Sequence, residues 1–156
     1  MGGTQVGTVG SINFEPNLVN VIAREATLTV DLRNTSERDL QAAEREMMAH
    51  AQAVADKEGL ELHHRSLARF EPVAFDPALV RAVSEHAEAL GHSVMTLPSG
   101  AGHDAQAFAP NCPAAMIFVP SAGGISHNVT EHTDRIDIEA GANVLLNLTV
   151  NLAGPC

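Results

Sequence analysis

Two glycine-rich segments hold the side chains best suited to chemistry. The first reads Pro98-Ser99-Gly100-Ala101-Gly102-His103-Asp104. The second reads Pro120-Ser121-Ala122-Gly123-Gly124-Ile125-Ser126-His127-Asn128 and runs on to Glu131 and His132. Imidazole and carboxylate together are usual ligands for zinc and related divalent metals. Glycine lets the backbone approach a ligand closely. Spacing by itself leaves the role open, because neither loop has the H-x-x-x-H pairing of a strong metal motif. Asp104 equally suits a helix cap, His103 a local hydrogen bond and His127 an exposed loop position. The other histidines are His50, His63, His64, His86 and His92. Cys112 and Cys156 make neither a metal-binding spacing nor a disulfide framework. They read as incidental thiols of a reduced, cytoplasmic protein.

Loops that bind ligands in open α/β sheets sit at the carboxyl ends of strands. The sequence offers such strands. Ser93 to Leu97 reads as a short one. Ala114 to Val119 is wholly apolar, the pattern of a strand buried on both faces. Helices flank them. Asp76 caps and Pro77 opens a helix to Leu90, with Val80, Val83, Ala87 and Leu90 on one face and Gly91 at its end. His103 to Phe108 reads as a short helix. Asp137 is expected to cap a last helix to about Leu152, with Val144, Leu145, Leu148 and Leu152 inward. Alternating helices and apolar strands predict an α/β layer arrangement.

The first half differs. In residues 24–33, Ala26, Leu28, Val30 and Leu32 alternate with Thr27, Thr29, Asp31 and Arg33, the period of a strand with one covered face. A less regular strand covers Val6 to Phe14, and Pro16 and Asn17 favour a turn between the two. Residues 36–57 read as a helix. Ser36 caps it, Leu40, Ala43, Met47, Ala51 and Val54 form its apolar stripe, and Gly59 ends it. Strand character returns from Leu60 to about Phe70, and Glu71-Pro72 to Phe75 reads as a crossing between units.

Composition limits the function classes. The 156 residues carry 9 Lys+Arg against 19 Asp+Glu, a net charge of −10. The deficit of cations falls in both halves. Residues 1–71 hold 7 basic and 11 acidic side chains, and residues 72–156 hold 2 and 8. A nucleic-acid-binding surface needs clustered cations, so nucleic acid is not expected as a partner. No segment approaches the roughly 20 apolar residues of a membrane-spanning helix, and Met1 to Gln5 lack the basic-then-apolar pattern of a secretory signal. The hydrophobic fraction is 45%, with no Trp or Tyr and 5 Phe, so aliphatic side chains and Ala must fill the core.

The string from Leu97 to Ala105, then Met116 to Asn128 and Glu131, closely resembles the N-carbamoyl-L-amino-acid hydrolase and allantoate amidohydrolase family. This is the hydantoinase/carbamoylase branch of the di-metal aminopeptidase-like hydrolases. Thr8-Val9-Gly10, Glu15-Pro16-Asn17, Asn20-Val21-Ile22 and Val30-Asp31-Leu32-Arg33 carry the resemblance independently in the first half. The resemblance implies a metal-dependent hydrolase of non-peptide C–N bonds in small ureido or amide compounds, with two zinc, manganese or similar ions. It also implies an inserted lid domain that forms the dimer contact. Residues 1–71 then correspond to the later part of the lid, and residues 72–156 to the C-terminal part of the catalytic domain. His127 matches the family's C-terminal metal-ligand histidine, and Asn20 and Arg33 match lid residues that hold the substrate. A guanidinium clasps a carboxylate in two parallel hydrogen bonds, and an amide both donates and accepts. A full member is longer and holds two domains. The resemblance places its other metal ligands and its glutamate base outside the matched residues, so no catalytic residue is assigned. The alternative is a non-catalytic module that keeps the dimerisation surface and weak carboxylate binding.

Overall fold

The computed structural model describes residues 5–154. The chain divides into two compact units, Met1–Pro72 and Val73–Cys156.

In the first unit, β1 (Val6–Glu15) and β2 (Glu25–Arg33) pair antiparallel. Directly opposite residues share a face. Ala26, Leu28, Val30 and Leu32 lie opposite Phe14, Ile12, Val9 and Gly7, which gives one apolar face. The uneven pattern of β1 now has a cause. Its apolar residues fall at an odd position, Val9, and then at even ones, Ile12 and Phe14. A register shift between Val9 and Ser11 leaves Gly10 as an extra residue. One extra residue reverses the alternation, so all three land on the same face. On the polar face Ser11 Oγ and Thr29 Oγ1 are 3.0 Å apart. The apolar face stays open: Val9 is 63% and Ile12 52% exposed.

Helix α1 (Glu37–Glu58) follows and packs on β2. Ser36 Oγ accepts from the Asp39 N–H at 3.3 Å, the expected cap. Gly59, at φ +69°, turns the chain out of the helix, and the Leu60 N–H returns to Ala55 O at 2.8 Å. A left-handed residue here suits glycine. Leu40, Ala43 and Ala55 are buried, whereas Val54, expected in the stripe, is exposed. The strand expected from Leu60 to Phe70 is not formed. A strand requires a ladder partner, and among the described residues β1 and β2 pair only with each other. The segment is fixed by a side chain instead: Arg69 Nη2 meets Glu37 Oε1 at 2.6 Å, and Arg69 Nε meets Glu44 Oε1 at 3.1 Å.

In the second unit, α2 (Pro77–Ala89) and α4 (Arg135–Ala153) pack on each other. Asp76 Oδ1 accepts from the Leu79 N–H at 2.8 Å, so the capped start with Pro77 in the first turn is borne out. Ala87, Val144 and Leu148 are buried. His86 links the two helices: Nδ1 is 2.8 Å from Ala82 O and Nε2 is 3.1 Å from Asn151 Nδ2. Those partners assign the proton to Nδ1 and the acceptor role to Nε2. Helix α4 begins two residues before the expected cap, with Asp134 rather than Asp137 at the N-cap. Leu145 and Leu152, expected inward, are exposed, as are Ile138, Leu146 and Val150. Glu139, Asn143, Asn147 and Asn151 make one exposed polar stripe, and the wide apolar remainder belongs against a larger core.

The two apolar strands of this unit are also absent as ladders among the described residues. Residues 114–117 are half-buried, while Phe118 and Val119 are exposed, so the run is not buried on both faces. It does lie against α4. A Cβ added at Gly141 would come within 2.5 Å of Val119 Cγ1, so only glycine permits this approach. The mixed helix-and-strand class holds as expected. The layered sheet of the second unit does not, because its strands have no neighbours to bond.

The chain exposes 12273 Å² of surface. Two separate compact proteins, each of half the 16.4 kDa mass, would together expose only about 9,100 Å². The excess is therefore independent of how the units are arranged. No helix among the described residues is long and apolar enough to cross a membrane.

Candidate functional site

The second glycine-rich loop is bonded to itself almost residue by residue. Gly123 and Gly124 take positive φ, 64° and 68°, in a single 3-10 turn at Ala122–Gly124. Ser121 Oγ donates to Ile125 O. The Ala122 N–H donates to His132 O at 2.8 Å, closing the loop at its base. Within this frame His127 is exposed and sits at φ +57°. It is the one non-glycine residue in the left-handed region among those described. Its N–H donates to Glu131 Oε2 at 2.6 Å, and its Nδ1 is 2.5 Å from Ser126 Oγ. A residue held in a disfavoured conformation is a reason to look for function there.

The first glycine-rich loop resolves the other way. His103 Nδ1 accepts from the Ala105 N–H at 3.0 Å and caps α3 (Asp104–Phe108). The local role weighed for His103 is the one it plays, and it takes the capping role considered for Asp104. Cys112 is a free, exposed thiol. Cys156 lies outside the described residues.

Asn20 lies exposed in the loop between β1 and β2. The loop is tied at its base, where the Arg24 N–H donates to Glu15 O at 2.9 Å and Arg24 Nη2 meets Glu15 Oε1 at 2.7 Å. Arg33 is the last residue of β2, opposite Val6. Its Nε and Nη2 meet Asp31 Oδ1 and Oδ2 at 2.7 and 3.3 Å, a fork-to-carboxylate pair. The Asp31 carboxylate raises the Arg33 pKa, by hydrogen bond first and by charge second. Asn20 and Arg33 are thus at opposite ends of the hairpin. The eight steps from Glu25 to Arg33 span roughly 26 Å at about 3.3 Å per residue. His127 belongs to the second unit.

Sequence reasoning missed Asp31, Ser126 and the carboxylate of Glu131 as partners of the site residues. Asp31 was legible in principle, since positions i and i+2 of a strand share a face. Ser126 and Glu131 were not, because their contacts depend on the turn that places His127 in the left-handed region.

No group of three or more His, Cys, Asp or Glu side chains converges among the described residues. One outward imidazole suits one ligand position. These residues alone do not fit a two-metal centre, and no chemical step is routed through one.

The chain thus holds a histidine-bearing glycine loop in its second unit, and a guanidinium and an amide on the hairpin of its first. The chain belongs to peptidase family M20/M25/M40, whose profile matches residues 3–151. The expected branch is also borne out. The chain is 39% identical over 148 residues to an N-carbamoyl-L-amino-acid amidohydrolase of Rhizobium meliloti, covering 95% of this chain and 36% of that protein. It is 35% identical over 153 residues to an allantoate amidohydrolase of Escherichia coli, covering 98% of this chain and 37% of the relative. It also resembles a solved hydantoinase/carbamoylase-family amidase of Burkholderia multivorans, with a TM-score of 0.89 and 39% identity, over 100% of this chain and 38% of that one. The chain thus spans little more than a third of the length of these relatives.

Proposed function

We propose that this chain is the lid-and-C-terminal portion of an amidohydrolase that cleaves non-peptide C–N bonds in small ureido or amide compounds, such as N-carbamoyl amino acids or allantoate. The observation that carries the reading is the Gly-Gly-Ile-Ser-His loop, which holds His127 outward on a strained backbone in a chain of this family. Residues 1–71 act as the lid and dimerisation segment, and residues 72–156 as the C-terminal part of the catalytic domain. The family is generally dependent on two metal ions. Bound in the complete enzyme, two divalent ions such as zinc or manganese would supply Lewis acidity and a water of lowered pKa. His127 contributes one ligand, and the others come from sequence beyond the described residues.

Arg33 grips the substrate carboxylate and Asn20 bonds its ureido or amide group. The hairpin keeps these two apart by more than the length of a small substrate. They serve one molecule only if they come from different copies, which is why the working form is a homodimer or higher assembly. The alternative, a non-catalytic carboxylate-binding module, draws on the lack of a convergent ligand group among the described residues.

The test has two arms. Purified chain, supplied with zinc or manganese, is expected to show no turnover of N-carbamoyl amino acids or allantoate. A chimera that joins it to the N-terminal portion of the Rhizobium meliloti relative is expected to turn over substrate in a metal- and His127-dependent way. Turnover by the chain alone, abolished in His127→Ala, refutes its incompleteness. A folded, metal-loaded chimera without turnover refutes the enzyme reading in favour of the module.

A further inference from the structure

We propose that Ser126 and Glu131 are positioning residues that hold His127 ready as a metal ligand, an inference that rests on the ligand reading above. The left-handed region is disfavoured for L-residues, so surrounding bonds must hold His127 there. The Glu131 carboxylate does this by accepting the His127 N–H at 2.6 Å. Hydrogen bonds to a charged acceptor are the stronger kind. Glu131 is fixed in turn. Its own N–H donates to Asn128 O at 3.0 Å, and Asn128 Oδ1 accepts from the Thr130 N–H and Oγ1 at 3.0 and 2.9 Å. Through Oε2 the Glu131 carboxylate braces the backbone of His127.

Ser126 decides which ring nitrogen faces outward with a lone pair. A neutral imidazole has one N–H and one lone pair. If the Ser126 hydroxyl donated to Nδ1, the proton would sit on Nε2 and block coordination. If Nδ1–H donates to Ser126 Oγ, across the observed 2.5 Å, the Nε2 lone pair faces outward. Metal-binding histidines usually donate their second nitrogen to a protein oxygen, which sets tautomer and ring orientation. A hydroxyl oxygen accepts as readily as it donates, so Ser126 serves as that oxygen.

The tautomer can be read without any metal. The whole chain, labelled with 15N-histidine and sedimented, gives solid-state 15N spectra in which protonated and unprotonated ring nitrogens are resolved. His127→Gln assigns the residue by loss of its signals. Wild type is expected to carry the proton on Nδ1. Ser126→Ala should move most of the population to the Nε2–H form, and Ser126→Thr should retain the original one. Glu131→Ala should speed exchange of the His127 amide about tenfold or more. An Nε2–H form in the wild type overturns the assignment to Ser126, and an unchanged amide exchange in Glu131→Ala overturns that to Glu131. The chimera with the N-terminal portion of the Rhizobium meliloti relative tests the supporting reading separately. An Nδ1–H form in the wild-type chain, together with a chimera whose metal content His127→Ala leaves unchanged, keeps the hydrogen bond and overturns the ligand role.

Discussion

If Asn20 and Arg33 touch the same substrate from different copies, single variants of each should rescue one another. The perturbation is a pair of chains, Asn20→Ala and Arg33→Ala, in the complete enzyme. A hydrogen bond to a charged group contributes roughly 1.5–3 kcal/mol. Arg33→Ala alone should therefore lower kcat/KM by about one to two powers of ten, at roughly 1.4 kcal/mol each. Asn20→Ala acts in the same direction. In a dimer mixed from the two, one site meets both lesions and the other meets neither. Random pairing makes about half the dimers mixed, each with one intact site of two, so co-expressed variants should recover about a quarter of wild-type activity. The geometry behind this is the hairpin, in which the strand between Asn20's loop and Arg33 is 9 residues long. The assay is initial rate on an N-carbamoyl amino acid, with each homodimer measured alongside the mixture. The reasoning is falsified if the mixture is no faster than the mean of its parents. A substrate analogue lacking the carboxylate serves as a control, since Arg33→Ala should cost it nothing. Equal losses on both compounds would return Arg33 to a structural charge paired with Asp31.

Three further outcomes follow from particular contacts. Gly141→Ala should destabilise the second unit in urea unfolding. Overpacking against Val119 costs about 1–3 kcal/mol, against the gain of about 1 kcal/mol that alanine brings to an open helix position, and adding Val119→Ala should reverse the sign. The purified chain should self-associate, because extended apolar patches drive association; a monodisperse monomer by light scattering would count against this, and Leu145→Glu with Leu146→Glu should weaken it. Glu37 is held below the ordinary carboxylate range, chiefly by the hydrogen bond from Arg69. A depressed folded pKa stabilises above the unfolded value of about 4.3 and loses that effect as pH falls through the folded value. The difference in amide exchange over residues 60–70 between wild type and Arg69→Leu should therefore be full at neutral pH and close in acid. A difference that persists unchanged at low pH would assign the effect of Arg69 to packing of its stem.

The elements that local chemistry decides were legible. Ser36 and Asp76 cap their helices because a short oxygen-bearing side chain meets an unpaired N–H wherever the helix starts. The β2 alternation survived because one residue step flips a face. The bulge at Gly10 was hidden, although the odd-to-even slip of Val9, Ile12 and Phe14 was its trace. What failed was what depends on neighbours. Leu60 to Phe70, Ser93 to Leu97 and Ala114 to Val119 have strand composition, but a ladder is a property of two segments and these have no second. Leu145 and Leu152 failed for the same reason: outside the polar stripe of Glu139, Asn143, Asn147 and Asn151 the helix is broadly apolar, and only a neighbour decides which part of that wide face is covered. The family was readable from the loop strings. The brace on His127 was not, since it is made by a backbone conformation that histidine adopts only occasionally.

On the proposed function the two units are incomplete in different ways, and the difference bears on what must complete them. The first unit leaves an apolar sheet face open, and the two residues proposed to hold substrate stand far apart. A second copy can mend both, because a two-fold partner brings the same face and the other member of the pair. The second unit cannot be mended so. A second copy would bring only another His127, and the described residues contain no convergent group of three metal-binding side chains to join it. A two-metal centre needs several different ligands around a shared water. The lone segments 93–97 and 114–119 likewise need strands beside them of a kind this unit does not itself pair. Helix α4, apolar on the side away from Val144 and Leu148, needs a layer packed over it. On this reading the completing element of the second unit is a different sequence, whereas that of the first is another copy of the same one.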